Sequence, residues 1–268
     1  MAGDMTVRIR KPTVAGTFYP ARADALNAEL NRCWHDRRVL NVPPPKAIIA
    51  PHAGYVYSGA VAATAYATLA PLLGTVERVV VLGPAHRFAL QGFAVPEAQI
   101  WQTPLGLVQI DTKVVDELAS LPDVVRSDLA HEREHSLEVH VPFLQRALGK
   151  VALVPVLVGQ ITPGRVAKLL EQLWGGPETL IVVSTDLSHY HDQATARKID
   201  DTTVRHFETL DFESLSADWA CGAHPVAGLL AHAKAAGMRC AAVDVRTSAD
   251  TVGDPSRVVG YASCLLWA

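Results

Sequence analysis

The chain lacks any run of apolar residues close to the roughly 20 that a membrane-crossing helix needs, which argues against a membrane span. Its first residues, MAGDMTVRIRKP, contain no apolar stretch of the kind a secretory leader carries. Cysteine is scarce: Cys33, Cys221, Cys240 and Cys264 are the only four in 268 residues, too few for a disulfide framework. Reduced thiols and a cytoplasmic setting are therefore expected. There is no excess of positive charge, since 24 Lys and Arg face 27 Asp and Glu, and the basic residues are scattered. That balance speaks against a nucleic-acid partner. The one short basic stretch, Arg8, Arg10 and Lys11, reads as a solvated arm. Also missing are the phosphate-cradling G-x-x-x-x-G-K-[ST] and G-x-G-x-x-G loops and the G-x-S-x-G nucleophile turn. No repeat or low-complexity linker divides the chain, so one domain over residues 1–268 is expected.

What is present is a globular composition, 49% hydrophobic and 19% charged. Continuous Val/Ile/Leu/Ala runs mark strands at Lys46–Ala50, Arg78–Leu82, Val151–Val158, Thr179–Ser184, Arg239–Val245 and Val258–Leu266. Continuous apolarity, as opposed to alternation, suits strands covered on both faces of a mostly parallel sheet. The last run is long enough to form an antiparallel edge. Helices are expected at Ala23–Trp34, Gly59–Leu69, Thr112–Leu121, Ser136–Leu148, Pro163–Trp174, Ala194–Leu210 and Pro225–Ala236, with Asp123–Glu134 irregular. Alternating strands and helices predict a three-layer α/β/α domain around a central, mostly parallel, mixed sheet.

Three of the strands end in histidine-bearing polar crests: KAIIAPH closes on His52, RVVVLGPAH on His86, and TLIVVSTDLSH on Asp186 and His189. Ligands of open α/β sheets bind outside the carboxyl ends of the strands, so the three crests predict one shared site. A lone loop histidine is ordinarily just hydrogen-bonded, but equivalent positions on two strand ends favour ligation. Asp186 and His189 stand three apart and share a face if a helical turn begins there. Such a pair suits proton transfer, while Asp186 alone would also serve as a helix cap. Cys221 precedes a helix whose first turn takes Pro225. There it is either a thiol of lowered pKa or an inert buried cysteine. Two histidines and a cysteine compose a metal set with positions left open for substrate.

His131-Glu132-Arg133-Glu134-His135 matches H-E-x-x-H, the zinc-protease pattern. That motif requires a helix with both histidines on one face, and this segment lacks an apolar stripe. The better helical stripe starts afterwards, with Leu137, Val141, Leu144 and Leu148. His135, Glu138 and His140 are within reach of the crevice from there, with structural hydrogen bonding as their expected work.

The ordered set AGTFYPA, AIIAPHAGYVYSG, VLGPAH, HSLEVHVPFLQ, VPVLVG, VSTDLSHY and CGAHPVAGLL resembles the Memo family nearly end to end. Bacterial and archaeal members of that family are called AmmeMemoRadiSam system protein B, and its fold is similar to that of class III extradiol dioxygenases. The resemblance implies a metal on His52, His86 and Cys221, with Asp186 and His189 as a polar pair in the same pocket. It places His189 where the dioxygenases have their acid/base histidine, and Phe18 and Tyr57 on the substrate-binding wall. Family members often carry Trp where Phe18 stands. The dioxygenases hold Fe(II) on two histidines and a carboxylate, and Cys221 departs from that pattern.

These readings imply a non-haem iron redox enzyme, with Fe(II) expected and Cu or Zn as the other candidate ions. The alternative is a non-catalytic module that uses the pocket for phosphorylated peptides or other anions, as eukaryotic relatives are described to do. The family name also implies partnership with an AMMECR-type protein and a radical SAM enzyme. The chain has no C-x-x-x-C-x-x-C motif, so it would not be the radical generator.

Overall fold

The six apolar runs all form strands in the computed structural model, which describes residues 7–268. The expectation of no leader falls partly on residues 1–6, outside the described residues. In chain order the strands are β1 (Ile9–Arg10), β2 (Ala47–Ala50), β3 (Arg78–Pro84), β4 (Phe93–Val95), β5 (Ile100–Thr103), β6 (Gly106–Gln109), β7 (Val124–Arg126), β8 (Ala152–Val158), β9 (Thr179–Ser184), β10 (His189–His191), β11 (Arg239–Thr247) and β12 (Val258–Trp267). The helices are α1 (Ala23–Asp36), α2 (Tyr55–Ala67), α3 (Thr112–Ala119), α4 (Asp128–Glu132), α5 (Val141–Leu148), α6 (Pro163–Leu173), α7 (Gln193–Glu208) and α8 (Ala223–Ala235). No helix among the described residues is long and apolar enough to cross a membrane.

The main sheet runs β10-β12-β2-β9-β3-β8-β4-β7, with β11 also paired to β12. Its centre, β2-β9-β3-β8, is parallel, and antiparallel pairs join it at β12–β2 and β4–β8. The β2-to-β3 connection crosses β9 in one direction, and the β8-to-β9 connection crosses β3 in the other. Right-handed crossovers then put α2 and α6 on opposite faces, giving the three layers. Helix α2 packs with α1 and α5, and α6 packs with α8. Every residue of β2 and β9 is buried, as is all of β3 after Arg78, which is why these strands read as unbroken apolar runs.

Several expectations are corrected. Strand β12 is no edge: it bonds β2, β11 and β10, so its length serves three neighbours. Asp123–Glu134 is not irregular, because Val124–Arg126 pairs with β4 and Ser127 caps α4 by accepting the Ala130 N–H. The helix expected from Ser136 forms a short 3₁₀ turn at Glu138–His140 and becomes α-helical only at Val141, where Pro142 fits the first turn. Arg10 does not lie on a solvated arm. Its side chain is buried, pairs with Glu138 at 2.7 Å and sits over the Trp101 ring. A small second sheet, β1-β5-β6, carries that segment, and its short strands left no apolar run to read.

Candidate metal centre

The parallel register sets the ends of β2, β9 and β3 side by side, pairing Ala50 with Ser184 and Val183 with Leu82. The residues that follow these ends share one crevice. His52, His86 and His135 each offer a ring nitrogen within 4.8 Å of the others. The rings of His86 and His135 are stacked, and His52 meets both edge-on. His135, within reach of the crevice but with structural hydrogen bonding as its expected work, has its ring in this cluster. The sequence signal for it was weak, since it closes a motif whose own chemistry is absent. Helix α4 ends at Glu132, so His131 and His135 share no helix face, and His131 is buried beside Ala94 O.

His52 is 2% exposed. Its N–H donates to Asp186 Oδ1 at 2.8 Å, and its Nδ1 lies 2.6 Å from Ser184 Oγ. The other ring nitrogen, Nε2, lies 3.2 Å from Cys221 Sγ. Burial, then the neighbouring imidazoles, hold its pKa well below the ordinary range, so the ring is neutral and able to ligate.

His86 is held by Glu134, a carboxylate that sequence reasoning did not select. The His86 N–H donates to Glu134 Oε2 at 2.5 Å, and its Nδ1 lies 3.0 Å from Oε1. The N–H groups of His135 and Ser136 also donate to Oε1. Burial pushes the Glu134 pKa up, but the His86 bond and the Ser136 N–H outweigh it and hold the pKa to about 2. The carboxylate is therefore ionised and accept-only, so Nδ1 of His86 carries a hydrogen and Nε2 is the nitrogen available to a metal. His135 is pushed down to about 4 by burial.

Cys221 stands one residue before the Gly222 cap of α8. Gly222 passes so near β9 that a Cβ there would lie 2.4 Å from Ser184 O. That close approach carries the thiol to His52. The lowered pKa considered for Cys221 is not found: burial, then the Asp186 carboxylate, push it up to about 12. Without a metal it is a thiol, accepting the Asp186 N–H at 3.3 Å and facing His52 Nε2.

Asp186 and His189 both line the crevice, but no helical turn joins them. His189 instead opens β10, and the Asp186 carboxylate turns to the His52 N–H. Burial raises Asp186 to about 7. His189 is half-buried and its pKa is lowered by burial. The crevice opens into a cavity of about 550 Å³, with Phe18, Tyr57, His135, Asp186, His189 and Tyr261 in its wall. Phe18 packs on His135, their ring centres 4.7 Å apart. A second cavity of about 630 Å³, between Pro43, Lys46, Arg239 and Trp267, lies by the start of β2, at the other end of the sheet from His52. The histidine cluster borders the first cavity through His135, whereas the second is lined by Lys46, Arg239 and Cys240 with no histidine.

A sequence model of a family described as Memo-like protein matches residues 10–265. A MEMO1 family protein of Thermotoga maritima is 35% identical, covering 96% of this chain and 99% of its own length. A MEMO1 family protein of Aquifex aeolicus is 36% identical, covering 95% and 98%. A crystal structure of an uncharacterized protein from Escherichia coli K12 superposes with a TM-score of 0.45 at 12% identity, covering 81% of this chain and 98% of that one.

Proposed function

The chain belongs to the Memo-like protein family, and on that premise we propose that it is a metal-dependent redox enzyme. Iron(II), or copper, would be held by His52, His86 and Cys221, with His135 alongside. One observation carries the reading: three imidazoles converge within 4.8 Å at the strand ends, and a thiol lies 3.2 Å from one of them. The donor chemistry fits such an ion, since imidazole suits iron, copper and zinc while sulfur favours the softer of them. Both histidines are backed at Nδ1, by Ser184 and by Glu134, as ligating histidines ordinarily are. A bound redox metal would supply electron transfer and an open position for substrate or oxygen.

The protein's own residues do the rest. Phe18, Tyr57 and Tyr261 form walls suited to a flat substrate beside the donor cluster. His189 is neutral near pH 7 and faces the same cavity, so it accepts a proton from a bound hydroxyl group. Asp186, with a pKa near 7, secures the His52 loop and does not orient His189. Cys221 replaces the carboxylate of dioxygenase sites, so ring cleavage is not part of the proposal.

Anaerobic loading with Fe(II), followed by elemental analysis, tests the reading. Wild-type protein should retain about one iron per chain, and the His52→Ala and His86→Ala variants should lose it. Wild-type protein that retains none, or a His52→Ala variant that retains as much, contradicts it.

A further inference from the structure

Ser184 Oγ has three partners inside the core. Ser136 O lies at 2.6 Å, His52 Nδ1 at 2.6 Å and His140 Nε2 at 2.8 Å. A serine hydroxyl has one hydrogen to give and two lone pairs to receive with. The Ser136 carbonyl can only accept, so the Ser184 hydrogen goes there. Both ring nitrogens must then donate to Ser184. A neutral imidazole carries one N–H, which for His52 is on Nδ1 and for His140 on Nε2. The count closes at both ends. Nδ1 of His140 is left bare, and the Tyr66 hydroxyl lies 2.9 Å away to donate to it. Nε2 of His52 is left bare, and it faces Cys221 Sγ.

Ser136, Ser184, His140 and Tyr66 are all fully buried, so no bulk water competes for these bonds. Gly83 makes the arrangement possible. A Cβ there would lie 2.8 Å from Leu137, 3.0 Å from Ser136 Oγ and 3.2 Å from Ser184 Cβ, so only glycine lets the 136–140 segment close on the sheet. The Ser136 Oγ hydroxyl in turn donates to Pro84 O at 2.8 Å. The two proposed histidine ligands are thus fixed by different means, His86 by the charged Glu134 and His52 by a neutral hydroxyl.

We infer that Ser184 is a positioning residue that locks His52 in its Nδ1–H form, so that Nε2 is presented bare to the centre before any metal arrives. His140 and Ser136 saturate the hydroxyl and deny it the alternative orientation. The role rests on the metal reading for its purpose but not for its existence, because the tautomer is a property of the metal-free protein. Which nitrogen of a histidine is free to ligate is set by the hydrogen bond the other one makes.

The test is nitrogen-15 NMR of metal-free, histidine-labelled protein, with Zn(II) as the binding probe. In wild type, His52 should show a protonated Nδ1 and a bare Nε2. Ser184→Ala should give a mixture of the two forms and weaken Zn(II) binding by about 10- to 100-fold, the usual range for lost outer partners of a ligand. His140→Leu should leave the His52 form unchanged, since Ser136 still takes the Ser184 hydrogen. The inference is overturned if wild-type His52 carries its proton on Nε2, or if Ser184→Ala leaves both the tautomer and the Zn(II) affinity as they were. Wild-type protein with the expected tautomer but no Zn(II) binding counts against the metal reading and leaves the Ser184 assignment standing.

Discussion

Glu134 holds His86 from two sides, accepting its backbone N–H at 2.5 Å on one oxygen and lying 3.0 Å from its ring Nδ1 on the other. The same carboxylate collects the N–H groups of His135 and Ser136, so one side chain orders two imidazoles of the cluster.

Replacing it separates orientation from folding. Glu134→Gln keeps an acceptor oxygen but loses the charge and one acceptor, and should weaken metal binding by about 10- to 100-fold with little loss of fold. Glu134→Ala leaves three backbone N–H groups and the His86 ring N–H without a partner, at about 1–3 kcal/mol each where they stay buried, so a loss of ~3 kcal/mol or more in urea unfolding is expected. Titration calorimetry with Zn(II) and urea midpoints measure the two effects. Equal metal affinity in Glu134→Gln would remove its role in the centre.

Asp200 predicts a pH-dependent gain. It is 1% exposed, accepts the Ser188 N–H through Oδ1, and has no hydrogen-bond partner at Oδ2. Burial raises its pKa to about 6 from an ordinary 3.8. The raised value means that the folded state holds the proton more tightly. The associated stability is complete below pH 3.8 and lost as pH rises through 6. Asp200→Asn should therefore stabilise the protein at pH 7.5 by about 1–3 kcal/mol, on the scale of 1.36 kcal/mol per pKa unit. At pH 4 the gain should have largely vanished. Urea midpoints at the two pH values check it, and a loss of stability at pH 7.5 would contradict it.

Gly222 sets the position of the thiol. In Gly222→Ala the new methyl would meet Ser184 O and Thr185, so α8 and Cys221 must move away from β9. Such crowding costs about 1–3 kcal/mol. Thermal unfolding should show that loss. The Co(II)-loaded variant should also lose most of its sulfur-to-metal absorption, while the His52 and His86 contacts persist. An unchanged Co(II) spectrum would show that this close approach does not position Cys221.

Much of this fold was legible because the central strands are buried on both faces and so read as unbroken apolar runs. Their polar crests were legible for the complementary reason: His52, His86 and Asp186 interrupt apolarity where the sheet ends. What stayed hidden depends on partners distant in sequence. Nothing local marks Glu134 as the support of His86, 48 residues earlier in the chain, and Ser184 looks like any serine after a strand. The Asp186–His189 spacing suggested a helical turn, but hydrogen bonds between residues 187–188 and Gly260 draw the chain into β10. Arg10 looked solvated because its partner, Glu138, lies in another part of the sequence. The Cys221 thiol is pushed up, not down, because burial and Asp186 outweigh what the start of α8 offers.

The most direct test is anomalous diffraction at the iron edge from crystals loaded anaerobically with Fe(II). A single strong peak within bonding distance of His52 Nε2, His86 Nε2 and Cys221 Sγ is the predicted result. A loaded crystal with no peak there, or with its iron bound at another part of the molecule, would contradict the account.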